Sequence, residues 1–177
     1  MDGLPAPTCE VDQWVLAELA RRQRSGESVT AMLIGIGAED QALRMAEAGA
    51  RVLLFSDREP FGHVNIVHQP LATLAEGDAA LTLEPFDIIL SQRSLSPLRY
   101  AEAKATVRRF LQRLKIGGKL FISLYGIHSD LGENYADGGK LVNDRLAPLA
   151  PEMARRYGLA VPVCLYSERN LFSLLME

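Results

Sequence analysis

The sequence contains few of the residues on which small secreted domains and membrane proteins depend. Its 177 residues include two cysteines, Cys9 and Cys164, one tryptophan and three histidines. Two cysteines so far apart do not make a disulfide framework, and the absence of a signal-peptide pattern indicates a reducing, cytoplasmic location. No apolar run approaches the length of a membrane span, about 20 residues. These absences exclude the disulfide-stabilised and membrane-spanning classes.

A strong charge of one sign is also missing. The net charge is −3 and the pI is about 5.7, so no overall field attracts nucleic acid. The histidines, His63, His68 and His128, are scattered, and no Cys/His spacing is typical of a metal site. A Walker A loop and a Gly-x-Ser-x-Gly elbow are absent as well. We therefore expect no nucleic-acid, membrane or metal partner.

The most informative stretch covers residues 29–57. An apolar run over residues 31–34 predicts a strand buried on both faces, and Gly35 and Gly37 follow directly after it. A helical pattern then runs to Gly49, where a helix end favours a residue with positive φ. A second apolar strand over residues 52–55 ends at Asp57. This arrangement predicts one β-α-β unit with a glycine turn and an acid about 20 residues further on.

The chemistry of such a unit favours a nucleoside-containing ligand. Glycines let the backbone approach a ligand closely, and an acid at the end of the second strand can accept hydrogen bonds from a ribose diol. Two acids, Glu39 and Asp40, stand where a pyrophosphate would lie, so a ligand with a cationic or zwitterionic end suits the turn better. The alternative is a tight turn whose glycines serve packing alone.

The rest of the chain predicts alternating helices and strands. The first helix carries an apolar stripe in which Trp14 is expected to anchor the core or, alternatively, to stack on a ligand base. The polar stretch 127–141 leaves the end of a central strand and is placed to act as a lid. Further helices are predicted over residues 9–24, 97–114 and 149–157, a broken helix over 71–83, and strands over 64–67, 88–90, 120–124, 161–166 and 171–175.

The link between the second and third strands is unusually short. A crossover through a full helix needs a dozen or more residues, and about half that number is available after Asp57. We expect a helix reduced to one turn; the alternative is an edge strand placed by a loop. A missing helix would expose one face of the sheet, which the N-terminal helix, a second copy of the chain or a protein partner could cover.

From residue 29 to residue 176 the chain resembles the class I S-adenosylmethionine-dependent methyltransferases. The resemblance rests on four motifs, in the same order as in that family. They are Leu33-Ile34-Gly35-Ile36-Gly37, the stretch from Gly49 to Asp57, Phe86-Asp87-Ile88-Ile89-Leu90-Ser91, and Leu114-Lys115-Ile116-Gly117-Gly118-Lys119-Leu120. The two closing strands also resemble the reversed last strand of the family.

The resemblance implies an α/β fold, doubly wound, with a mostly parallel seven-stranded sheet and an antiparallel last strand. The shortened crossover between strands two and three is a departure from it. One Rossmann-like methyltransferase domain is expected over residues 1–177, with an N-terminal helix in residues 1–28 packing on the sheet. Other departures are Glu39 in place of the third glycine, an apolar Leu33 or Ile34 in place of the acid of the first strand, and Ile116 in place of the turn proline.

The resemblance also implies S-adenosylmethionine as cofactor and names candidate residues. Where the acceptor must lose a proton, the candidate base is His128, with Tyr125 and Tyr135 as weaker candidates. His68 is an alternative to Gln69 beside the adenine, where the family has an acid. The candidate cofactor-binding residues are Gly35, Ile36, Gly37, Asp57, Gln69 and Ser91.

Three functions are compatible with these observations. The first is methyl transfer to a small-molecule acceptor, which the compact chain without an added nucleic-acid module favours. The second is a catalytically inactive methyltransferase-like protein that acts as a binding or scaffold subunit, which the changed glycine and missing acids favour. The third, a dinucleotide-dependent oxidoreductase, is disfavoured by the acids at the first turn.

Overall fold

The computed structural model of the protein describes residues 10–58, 62–74 and 85–176. The strands of these residues form one five-stranded sheet in the order β3-β2-β1-β4-β5. Its strands are β1 (Thr30–Gly35), β2 (Arg51–Phe55), β3 (Ile66–Gln69), β4 (Phe86–Gln92) and β5 (Leu114–Ser123). The α-helices are α1 (Glu10–Arg24), α2 (Ala38–Glu47), α3 (Tyr100–Gln112), α4 (Pro151–Tyr157) and α5 (Glu168–Met176).

The predicted β-α-β unit is confirmed. All six residues of β1 are buried, and β1 pairs in parallel with β2 from Thr30 opposite Arg51 to Ile34 opposite Phe55. Between the two strands, α2 begins after Gly37, whose φ is 83°, and the chain turns away from the helix at Gly49, whose φ is 92°. Both glycines therefore occupy the left-handed region that disfavours other residues.

One face of the sheet is covered by α1 and α2. Because successive side chains of a strand point to opposite faces, alternate residues of three strands meet the helices. The α1 residues Val15 and Leu19 and the α2 residues Ala42 and Met45 join this core and are fully or almost fully buried. The strand residues of the same core are Ala31 and Leu33 of β1, Val52 and Leu54 of β2, and Ile88 and Leu90 of β4.

The described residues group into two compact units. The first contains the described residues up to Leu90 together with Leu114–Ile122, and it therefore holds almost all of the sheet with α1 and α2. The second contains Ser91–Arg113 and the described residues from Ser123 onwards, with α3, α4 and α5.

The second unit has a core of its own, to which the predicted lid contributes. Leu131 and Tyr135 of the 127–141 stretch are buried together with Leu149, Met153 and Val163. Hydrogen bonds reinforce this packing, since the Asp137 carboxylate accepts from the Leu146 N–H at 2.9 Å and the Arg145 guanidinium donates to the Leu165 carbonyl at 2.6 Å. The stretch is thus a folded part of this unit rather than an irregular flap.

The prediction of seven strands with an antiparallel last strand is wrong. Within the described residues the sheet has five strands, all parallel, and residues 161–166 form single bridges instead of a strand. Residues predicted as the last strand belong to α5, in which Leu174 is buried. A reciprocal cap starts this helix: the Asn170 N–H donates to Ser167 Oγ at 3.2 Å and the Ser167 N–H donates to Asn170 Oδ1 at 3.0 Å.

The crossover from β2 to β3 is short, as predicted. The described residues within 56–65 form bends and turns without a helix, and residues 59–61 lie outside the described part, so the predicted single helical turn falls partly outside it. The predicted helix over 71–83 is a 3-10 turn at Leu71–Leu74, and residues 75–84 are likewise outside. On the edge strand β3, Val67 is 56% exposed, whereas Leu53 of β2 is buried.

Two further predictions need correction. Trp14 is 54% exposed and does not anchor the core, because the inward positions of α1 are those of Val15 and Leu19. The pair Gly117 and Gly118 does not precede its strand but lies inside β5. A Cβ on Gly118 would lie 2.9 Å from the Lys115 carbonyl oxygen, so glycine is required there for close packing.

Candidate functional site

The turn after β1 presents open backbone at the carboxyl edge of the sheet. We call residues Gly35, Ile36 and Gly37 the 35–37 turn. Gly35 and Gly37 have φ of 117° and 83°, and the Ile36 side chain is half exposed. A Cβ added to Gly37 would meet no atom within 4 Å, so the space beside it is free. A turn of this shape lets a ligand approach the main chain at the start of α2.

Glu39, in the first turn of α2, carries a buried carboxylate. The residue is 3% exposed, and its Oε2 has no hydrogen-bond partner within the described part of the chain. Its Oε1 lies 4.0 Å from Nε of Arg58, whose side chain is 73% exposed. Because Arg58 directly follows Asp57, this contact orients the carboxylate towards the end of β2.

Asp57 lies just beyond β2 and is exposed. Its Oδ1 accepts a hydrogen bond from the Leu71 N–H at 3.2 Å. A carboxylate has about four acceptor positions, so this bond leaves most of its capacity for a ligand. Asp57 can therefore bind the Leu71 N–H and accept hydrogen bonds from ligand hydroxyl groups at the same time.

The ends of β2 and β3 are tied together beside Asp57. The Ser56 N–H donates to the Gln69 carbonyl at 3.2 Å, and His68 Nε2 lies 2.9 Å from the Ser56 carbonyl. Since a carbonyl only accepts, Nε2 of His68 carries the proton in this contact. His68 is thus engaged with the backbone, and Gln69 is half-buried at the last position of β3.

The first unit therefore brings several predicted residues to one edge. In a parallel sheet the carboxyl ends of neighbouring strands meet at the same side, which is where ligands of open α/β sheets bind. The 35–37 turn, Asp57 and Gln69 follow or end the neighbouring strands β1, β2 and β3. The burial of Glu39 is not predictable from the sequence, since an acid in a first helical turn is usually exposed.

The other predicted site residues belong to the second unit. Ser91 is fully buried, and its hydroxyl lies 2.7 Å from that of Ser94. The Tyr125 ring faces the Arg93 guanidinium at 5.9 Å, and its N–H donates to Ser96 Oγ at 3.2 Å. Residues 91–96 thus form a turn whose side chains contact one another and the start of the segment after β5.

The candidate bases differ in their surroundings. His128 is exposed, and Tyr125 is half-buried. Tyr135 is buried, and burial raises the pKa of its hydroxyl to about 12 even though a hydrogen bond from the Ala147 N–H at 3.1 Å lowers it. The same hydroxyl donates to the Val163 carbonyl at 2.5 Å, so Tyr135 is a structural residue and not a base.

A second buried cluster surrounds Asp87 at the beginning of β4. Its carboxylate accepts from the Thr30 N–H at 2.8 Å and from Lys115 Nζ at 2.8 Å, and Arg22 Nη1 lies 3.4 Å away. Burial by itself would raise the pKa of Asp87, but the bonds from Lys115 and Thr30 outweigh it and lower the pKa. The cluster joins α1, β1, β4 and β5 at the edge opposite the 35–37 turn, and it has a structural role.

No group of three or more His, Cys, Asp or Glu side chains in the described part of the chain has the arrangement of a metal site. None of the helices within the described ranges is both long enough and apolar enough to cross a membrane.

The sequence matches no protein-family model and no curated protein. The structure, however, resembles solved methyltransferases. One is a 1,6-didemethyltoxoflavin-N1-methyltransferase from Burkholderia thailandensis with bound S-adenosylhomocysteine, at 17% identity and TM-score 0.57 over 94% of this chain and 65% of that one. Another is the magnesium protoporphyrin IX methyltransferase of Synechocystis with the same ligand, at 14% identity and TM-score 0.55 over 98% of this chain and 77% of that one.

A third similar structure has a different name. It is a Rhodobacter sphaeroides protein provisionally assigned to the Zn-dependent alcohol dehydrogenases, at 17% identity and TM-score 0.60 over 98% of this chain and 80% of that one. At such identities the likeness concerns the fold, because one fold hosts many activities. The chain spans just under two thirds of the length of the didemethyltoxoflavin enzyme. The order of the strands, the 35–37 turn and these likenesses together show that the chain has a class I methyltransferase-like α/β fold.

Proposed function

We propose that the protein binds S-adenosylmethionine beside the 35–37 turn and transfers its methyl group to a small-molecule acceptor. The observation that carries the proposal is the open turn at Gly35 and Gly37 with Asp57 at the end of the neighbouring strand. The ligand named for two similar structures, S-adenosylhomocysteine, is the product of this cofactor and supports the same choice.

The residues of the first unit fit this cofactor. The free space beside Gly37 admits a ligand close to the main chain, and Asp57 keeps acceptor positions for two ribose hydroxyls. The buried Glu39 carboxylate favours a ligand with a cationic group. Gln69, at the last position of β3, is the candidate for the adenine, and Ile36 offers a half-exposed apolar surface. Ser91, which belongs to the second unit, stays a candidate on the resemblance alone.

When bound, S-adenosylmethionine supplies an electrophilic methyl group on a sulfonium. The acceptor attacks in line, so the protein contributes mainly by positioning the acceptor and excluding water. Where the acceptor must lose a proton, His128 and Tyr125 remain the candidate bases. His128 is exposed and therefore accessible to an acceptor, whereas Tyr125 is half-buried.

The alternative is a catalytically inactive relative that binds a partner. Glu39 in place of a third glycine and the apolar Leu33 and Ile34 in place of an acid favour this alternative. A dinucleotide-dependent oxidoreductase is disfavoured, because a buried carboxylate in the first turn of α2 repels a pyrophosphate.

Calorimetric titration with S-adenosylmethionine and S-adenosylhomocysteine, with NAD as control, tests the proposal. We expect micromolar binding of the first two, corresponding to about 8 kcal/mol, and none of NAD. A folded sample that binds neither would favour the inactive scaffold. Where binding is found, mass-spectrometric detection of S-adenosylhomocysteine formed from S-adenosylmethionine and pooled small molecules tests methyl transfer itself.

A further inference from the structure

Glu39 places its carboxyl group in a buried position at the start of α2. Its side chain is 4% exposed, and Oε2 has no hydrogen-bond partner in the described ranges. The Arg58 guanidinium lies 4.0 Å from Oε1, which is beyond hydrogen-bond distance, and the Arg58 side chain is 73% exposed to water. The start of α2 offers a favourable dipole, but this effect is smaller than the cost of burying an unpaired carboxylate.

The direction of the carboxylate connects it to the proposed site. Oε1 faces the residue that follows Asp57, and the space beside Gly37, two positions before Glu39, is free. The carboxylate therefore extends from the helix that follows the 35–37 turn towards the segment that follows β2. An unpaired buried acceptor in such a place is suited to a donor that arrives with the ligand.

The chemistry of that donor can be narrowed. A metal ion would need further ligands, and no cluster of three such side chains occurs in residues 10–58, 62–74 and 85–176. A phosphate is excluded because its negative charge would repel the Glu39 carboxylate. An ammonium group supplies up to three N–H donors with a positive charge, and its bond to a carboxylate is of the strong, charge-assisted kind.

We infer that Glu39 is the cation-recognising residue of the site and binds the α-ammonium of the cofactor's amino-acid end. The inference rests on the proposed function and adds to it a specificity-determining residue. It also gives a reason for an acid at this position, because the end of β1 supplies two buried apolar side chains, Leu33 and Ile34, and no carboxylate.

The experiment compares two ligands that differ in the recognised group. S-adenosylhomocysteine carries the α-ammonium, whereas 5′-methylthioadenosine keeps the adenosine and the thioether but lacks the amino-acid end. Affinities of both are measured by calorimetry for the natural protein, for Glu39→Gln and for Asp40→Asn. Asp40 is the matched control because it is an acid in the same helical turn that is exposed.

We expect Glu39→Gln to weaken S-adenosylhomocysteine roughly 10- to 100-fold, as loss of a charged hydrogen bond does, and to leave 5′-methylthioadenosine nearly unchanged. Asp40→Asn should change neither ligand appreciably. An equal effect of Glu39→Gln on both ligands, or no effect on either, overturns the inference while the proposed cofactor stands. Failure of the natural protein to bind either ligand overturns the proposed function and the inference with it.

A second variant guards against loss of folding. Glu39→Asp keeps the charge and shortens the side chain by one methylene, so it should retain part of the preference for the ligand with the ammonium. Thermal unfolding of each variant accompanies the titrations. If Glu39→Gln does not fold, the same two affinities are measured for a folded Glu39→Met variant. Loss of its tighter binding of S-adenosylhomocysteine over 5′-methylthioadenosine supports the inference. An unchanged difference between the two ligands overturns it.

Discussion

The Asp57 carboxylate accepts a hydrogen bond from the Leu71 N–H at 3.2 Å, so one side chain joins the end of β2 to the segment that follows β3. The same side chain is the proposed ribose ligand. Its structural bond uses one acceptor position of Oδ1, and the remaining positions serve the ligand. Substitution can separate the two roles. Asparagine keeps an oxygen acceptor for the Leu71 N–H but removes the charge, whereas alanine removes both the acceptor and the charge.

Asp57→Ala should weaken S-adenosylhomocysteine about 10- to 100-fold because hydrogen bonds to a charged acceptor are lost. Asp57→Asn should weaken it less, and it should preserve the bond to Leu71. Calorimetry measures both affinities, and thermal unfolding reports any loss of the structural bond. Unchanged affinity in Asp57→Ala would contradict the assignment of this residue to the ribose.

Glu39→Met should stabilise the protein in the absence of cofactor. Methionine resembles glutamate in length and removes an unpartnered buried acceptor, whose cost is about 1–3 kcal/mol. The substitution also removes a favourable interaction with the helix dipole, which costs about 0.3–1 kcal/mol of stability. We therefore expect a net rise of about 1 kcal/mol in the free energy of unfolding. Urea unfolding measures it. A clear fall in stability would mean that Glu39 has a structural partner.

Asp87→Asn should destabilise the protein by about 3 kcal/mol, because it leaves Lys115 and Arg22 without their shared buried carboxylate. The matched control is Asp130→Asn. Asp130 pairs with Arg156 at 3.6 Å with both side chains more than 60% exposed, and such pairs contribute at most about 1 kcal/mol. Urea unfolding measures the free energy of unfolding of both variants. An equal decrease in Asp87→Asn and Asp130→Asn would contradict a stabilising role for the buried Asp87 cluster.

The acid limb of the stability curve should depend on Asp87 and Glu18. The pKa of Glu18 is lowered to about 2, chiefly by its hydrogen bond from Arg21, and that of Asp87 is lowered by Lys115 and Thr30 in spite of burial. Carboxyl groups with depressed pKa stabilise the fold above their unfolded values, near pH 4, and lose that contribution as the pH falls through the folded values. Thermal unfolding between pH 2 and 7 should therefore show a shallower acid limb for Asp87→Asn than for the natural protein.

Tyr135→Phe should lower the free energy of unfolding by about 1–2 kcal/mol without changing cofactor affinity, since the hydroxyl makes two buried hydrogen bonds. Tyr157→Phe is the control, because that hydroxyl makes one long contact to Asp130 at 3.4 Å on the surface. Equal unfolding midpoints for the two variants in urea would contradict the structural role of Tyr135.

The β1-α2-β2 unit was predictable because local signals agreed. A buried apolar run, two glycines and a helical period occur in the order that the fold requires, and they determine where the 35–37 turn and Asp57 lie. The last helix was not predictable in the same way. Its leucine-rich stretch is too short for periodicity to separate a helix from a strand, and Ser167 and Asn170 are residue types common to turns and to helix caps.

The candidate site was predictable only in part. The positions of the glycines and of Asp57 at the ends of strands can be predicted from the order of residues in the sequence. The burial of an acidic side chain depends on tertiary packing and cannot. Glu39 and Asp87 look like ordinary surface acids in the sequence, yet both are at most 5% exposed. Trp14 shows the reverse, since a strongly apolar residue lies on the outer side of α1.

The core formed by Leu131, Tyr135, Leu149 and Val163 has a kinetic consequence. Residues that share one small core and its hydrogen bonds open together or not at all, so the 127–150 segment should behave as a single foldon. Its protected amides, such as that of Ala147, which donates to Tyr135, should give one common free energy of opening in hydrogen–deuterium exchange. This glycine-rich segment, whose sequence is typical of a flexible loop, should thus unfold locally as one cooperative unit.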